Sequence, residues 1–66
     1  MKSRVIIARL KREGWILRNI RGSHHQFVHP DTKKRVTVPH PKKDIGMKTV
    51  RSIYRQAGWD WDNPSR

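Results

Sequence analysis

The sequence predicts an α+β fold in the order helix, three-stranded antiparallel meander, helix (α-β-β-β-α). Three observations predict it. Apolar residues recur at helical spacing near each end of the 66-residue chain. Between them lie three short stretches rich in β-branched and aromatic residues. Turn residues separate those stretches at intervals too short for a parallel crossover.

The first helix is expected over residues 3–13. Ser3 is placed as its N-cap, and Ile6, Ile7 and Leu10 form its apolar stripe. Gly14 supplies a left-handed stop, after which Trp15 can fold back onto Leu10. The strands are expected at 15–21 (WILRNIR), 24–29 (HHQFVH) and 35–38 (RVTV), with Val36 and Val38 on one face. Gly22-Ser23 turns the first pair, and Pro30-Asp31-Thr32-Lys33 the second. Pro39 and Pro41 end the third strand, and residues 40–46 (HPKKDIG) form a basic loop. The second helix is expected over 47–57, with Met47, Val50, Ile53 and Ala57 as its stripe, Gly58 as its stop and Trp59 returning onto Tyr54. Both stripes are buried only if the two helices share one face of the sheet, which leaves the other face open. Residues 1–59 then make one domain, and residues 60–66 a loose tail in which Trp61 alone is a candidate for docking or base stacking.

Sixteen Lys and Arg against five Asp and Glu give a net charge of +11. That excess is larger than solubility requires and points to a polyanion, nucleic acid before a membrane surface. No apolar run approaches the ~20 residues of a membrane span. The basic N-terminus is followed by an apolar stretch that breaks at Arg9, too short for a secretory signal. With no cysteine in the chain, disulfides and thiolate metal sites are excluded, and a cytoplasmic location is expected. A core this thin leaves no deep pocket, so any substrate lies across the surface or against a partner.

Four histidines, His24, His25, His29 and His40, are the candidates for chemistry. RNA brings its own nucleophile, the ribose 2′-hydroxyl, so cleavage needs only proton exchange and stabilisation of phosphoryl charge. A free imidazole, titrating near pH ~6.5, can do the former. Neighbours in a strand face opposite ways. Phe27 belongs in the core and draws His25 to its side, so His24 and Gln26 fall on the open face. Gly22 lets a phosphate approach the backbone, and Ser23 offers a hydroxyl. Adjacent strand histidines cannot readily share one ion, so neither a metal nor another cofactor is expected.

At these residues the chain resembles the HicA family of toxin–antitoxin ribonucleases. The resemblance runs from Arg9 to Trp59. It rests on Glu13-Gly14-Trp15, the block GSHHQFVHP (Gly22 to Pro30), VTVPHPKKD (Val36 to Asp44) and TVRSIYRQAG (Thr49 to Gly58). It implies a fold like that of double-stranded-RNA-binding domains. It implies mRNA cleavage with one essential histidine, which falls on His24. It also implies a HicB-type antitoxin that covers the cleavage surface and, through its own DNA-binding part, brings the pair to operator DNA. An acidic antitoxin would be steered quickly to so basic a chain. With a single histidine, a cation must support the transition state, and Arg18, Arg21, Lys34, Lys42 and Lys43 are the candidates. Two other readings use the same charge. One is a non-catalytic RNA-binding module; the other is a DNA-binding domain presenting Lys48, Arg51 and Arg55 on the second helix.

Overall fold

The computed structural model describes residues 1–60. The order is α1 (Ser3–Arg12), β1 (Ile16–Arg21), β2 (His24–Val28), β3 (Arg35–Pro39) and α2 (Met47–Ala57). The strands form one antiparallel sheet with β2 at its centre. The expected α-β-β-β-α architecture with an open sheet face is therefore present. The tail from 61 onward, with Trp61, lies outside the described residues.

Both helices end by the same device. Gly14 and Gly58 adopt φ of +92° and +75°, which the chain needs in order to reverse and which any Cβ would disfavour. The amides of Gly14 and Trp15 then donate to the carbonyls of Lys11 and Leu10. Those of Gly58 and Trp59 donate to Arg55 and Tyr54. Each tryptophan is thus delivered back onto the body. Trp15 is buried, with His29 edge-on at 5.3 Å. Trp59 meets Tyr54 edge-on at 5.2 Å, carries the Arg9 guanidinium at 4.0 Å and donates through Nε1 to Glu13 at 2.7 Å.

The core is built from Ile6 and Leu10 of α1, Phe27 of β2, Val36 and Val38 of β3, and Val50 and Ile53 of α2. Ile7, Trp15, Ile45 and Tyr54 complete it. The helices lie mainly over β3. Gln56 of α2 also accepts the outward backbone N–H of Thr37, sealing that edge of the sheet. The opposite edge, β1, is exposed along its whole length. Leu17 and Ile20 sit opposite Phe27 and His25, on the helix side, yet remain 39% and 52% exposed.

Two local expectations change. Ser3 is not the N-cap: Lys2 takes that position with extended backbone, and Ser3 begins the first turn with its side chain buried. Met47 does not join the core stripe and is 64% exposed. It is the first residue of α2, so it overhangs the core, and Tyr54 fills the stripe instead. The structure also adds a bulge in β1: Leu17 pairs with Phe27 but Asn19 with Gln26, leaving Arg18 as an extra residue.

Gly58→Ala should cost about 1–2 kcal/mol, because a side chain is forced into the left-handed region. For a domain of this size the Tm should fall by about 4–8 °C per kcal/mol, as thermal unfolding would measure.

Candidate nucleic-acid interface

The site begins at the β1–β2 turn. Gly22 occupies its first central position with φ of +57°, the position that type II′ hairpins reserve for glycine. The two-residue turn sets Arg21 directly across from His24. Residues opposite each other in a sheet share a face, so both side chains reach the open one. The bulge is what brings Arg21 there. Strict alternation from Leu17 would send residue 21 inward, and the extra residue at Arg18 reverses the phase.

On its other side His24 pairs with Pro39. The chain then runs through His40 and Lys42 toward α2 along a path held at three points. The His40 amide donates to the Ser23 carbonyl at 2.6 Å. The Ser3 hydroxyl lies 2.7 Å from His40 Nδ1 and accepts the Lys42 amide at 2.9 Å. The Ser3 amide returns a bond to the Lys42 carbonyl at 2.9 Å. Ser3 is only 1% exposed, so these bonds are shielded from water. They fasten the start of α1, the hairpin turn and the basic loop together.

The result is a shallow cleft at the rim of the sheet, lined by His24, Thr37, Lys42, Lys48, Thr49 and Ser52 among others. Its charged members are cations, and no carboxylate lines it. A phosphodiester would meet two ammonium groups here, three hydroxyls, and the Arg21 guanidinium across from His24. Across Thr37 the cleft continues into a trough over the open sheet face, lined by Ile16, Arg18, Asn19, Gln26, Val28 and Arg35 among others.

The four histidines differ in what they already do. His29 accepts the Asp31 amide at Nδ1, which leaves Nε2 to donate to the Glu13 carbonyl at 3.1 Å. It is a staple between the β2–β3 turn and the end of α1. His40 is engaged with Ser3. His25 points to the helix side, packs edge-on against His40 at 4.9 Å, and buries Nδ1 without a hydrogen-bond partner. His24 is exposed, and no hydrogen bond to its ring is present among the described residues.

Of the residues expected at the site, Arg21, Gly22, Ser23 and His24 are contiguous on the hairpin, and Lys42 lines the cleft. Arg18 lies along the adjoining trough. Lys34 is at the far end of the sheet, its Nζ 3.6 Å from where a Gly58 Cβ would stand. Lys43 borders a separate depression with Lys2, Ser3 and Arg4. Lys48, Thr49 and Ser52 were missed. Their signal was available, since 48 and 52 share a helix face and directly follow the basic loop. No three His, Cys, Asp or Glu side chains gather as a metal site would need among the described residues. No helix there is long and apolar enough to cross a membrane.

The chain is thus a small, strongly basic α+β domain with an open sheet face and a cationic cleft beside an exposed imidazole. The family model described as the HicA toxin of bacterial toxin–antitoxin systems matches residues 3–59. The chain belongs to the HicA toxin family, and membership implies a cognate antitoxin as partner. No curated protein matches the sequence.

Ser3→Ala should strand the Lys42 amide and His40 Nδ1 in a buried setting, at a cost of about 1–3 kcal/mol. Denaturant unfolding should show a lower midpoint with an unchanged m-value.

Proposed function

We propose that the chain is the toxin of a type II pair and acts as an endoribonuclease on mRNA, with His24 as the residue that exchanges protons with the substrate. One observation supports this most directly: among the described histidines, His24 alone combines an exposed, unengaged ring with a cleft whose charged residues are all basic.

In the proposed reaction His24 accepts the proton of a ribose 2′-hydroxyl as its oxygen attacks the adjacent phosphorus. The P–O5′ bond breaks, leaving a 2′,3′-cyclic phosphate on one product. The departing 5′-oxygen takes a proton from the imidazolium or from water, giving a free hydroxyl on the other. Negative charge gathers on the non-bridging oxygens in between. Arg21, Lys42 and Lys48 are the cations suited to hold it, and the turn of Gly22 and Ser23 lets the phosphate come close to the backbone. The attacking group belongs to the RNA, so the proposed chemistry does not call for a metal. A HicB-type antitoxin, acidic where it meets the cleft, would silence the toxin in the cytoplasm by covering His24, and would carry the pair to operator DNA through its own DNA-binding part.

Purified protein should cleave single-stranded RNA in excess EDTA. A single 2′-deoxy nucleotide at the cut site should stop cleavage while binding persists. His24→Ala should abolish growth inhibition and lower cleavage by at least about 10²-fold with an unchanged circular dichroism spectrum. Lys42→Ala and Lys48→Ala should each slow cleavage by up to about 10²-fold. A His24→Ala protein that still arrests growth refutes the assignment. A protein that binds RNA tightly but never yields products is an RNA-binding module instead.

A further inference from the structure

We infer that Asn19 and Gln26 form a base-reading pair, which recognises the nucleotide next to the one held at His24. The inference rests on the proposal that RNA occupies the cleft, and it adds where sequence preference comes from.

The two amides are cross-strand partners on β1 and β2, and Gln26 is flanked on its other side by Thr37 of β3. They stand together in the middle of the open face. Asparagine is poorly suited to strands; here Asn19 is exposed on the edge strand β1, and its partner Gln26 is half-buried on the central strand β2. Neither side chain has a hydrogen bond to another described residue, so both keep their donors and acceptors for a ligand. A primary amide presents a donor and an acceptor side by side, which matches the hydrogen-bonding edge of a base and not a phosphate, which offers acceptors alone.

Their position relative to the cleft gives the spacing. His24, Gln26 and Val28 alternate onto the same face of β2, each step along an antiparallel strand covering ~6.8 Å. That is comparable with the span of one extended nucleotide. A strand of RNA with one phosphate at His24 would bring the neighbouring base over Asn19 and Gln26. The following base would reach Ile16 and Val28, which are paired to each other and give an apolar floor. Arg18, Lys33 and Arg35 border the same trough and supply phosphate contacts without reading sequence. Thr37 lines both the cleft and the trough, so the path is continuous. Single-stranded RNA, with its base edges free, is the form this surface accepts.

The test is selection of randomised RNA hexamers by the His24→Ala chain, with Asn19→Ala, Gln26→Ala or Gln26→Glu added. The parent should enrich one base by at least about fivefold at a single position. Asn19→Ala and Gln26→Ala should flatten that preference to below about twofold while leaving the salt dependence of binding unchanged, because phosphate contacts are untouched. Gln26→Glu, which replaces the amide donor with an acceptor, should move the preference to another base. Cut sites mapped in the His24-containing background should follow the same changes. If the alanine variants keep the parental preference, or if the parent shows none, the inference is overturned. Loss of the proposed cleavage activity would leave the hexamer assay standing, so the two ideas fail separately.

Discussion

The buried hydroxyl of Ser3 is the point on which the hairpin-turn end of the molecule depends. It joins the start of α1 to a loop 37 to 39 residues further along the chain, engaging the His40 ring and the Lys42 amide at once. Loops closed over such separations are held only if the contacts at their ends outweigh the entropy of closure. In a chain with so small a core, a shielded set of hydrogen bonds does what extra apolar surface would do in a larger protein. It holds the basic loop beside the hairpin turn, and so sets Lys42 and the start of α2 next to His24.

That arrangement explains why four histidines in 66 residues do not amount to four candidate sites. Three are occupied in the architecture. His29 ties a turn to a helix end, His40 ties a loop to a helix start, and His25 packs beneath the sheet against His40. The fourth is placed by the tight turn before it, where alternation along β2 sends it outward and the β1 bulge sends Arg21 with it. The fold and the candidate site share one device here. A slip of one residue in the first hairpin would exchange the roles of His24 and His25.

Much of this could be read from the residues. The Gly-Trp pairs at 14–15 and 58–59 announced both helix ends, because glycine alone reverses the chain at no steric cost and the tryptophan has somewhere to return. Val36 and Val38 announced the face of β3, and Phe27 settled that of β2. What escaped the reading were features decided by tertiary partners. Ser3 looked like a cap because capping is local, whereas its partners lie near residue 40. Leu17 and Ile20, three apart in a strand, can share a face only if an extra residue intervenes, so the bulge had a signal that went unused. Charge and closeness in sequence group Lys34 and Lys43 with His24, but the antiparallel course of the strands carries Lys34 to the far end of the sheet, and Lys43 borders the depression beside Lys2 and Arg4. The contribution of α2 to the cleft could not be seen until the packing of α2 along β3 was known.

The bare β1 strand bears on how such a chain must be handled by the cell that makes it. Its outer backbone edge has no neighbouring strand among the described residues, and Ile16, Leu17 and Ile20 give it apolar surface on both faces. Such a ribbon is a template for intermolecular strand pairing. Arg18 and Arg21, interleaved with the apolar residues, set like charges against like wherever two copies align, and so act as gatekeepers against fibrils and insoluble deposits. The two guanidinium groups thus add, on the one bare strand, to the repulsion that a net charge of +11 already sets between copies of the chain.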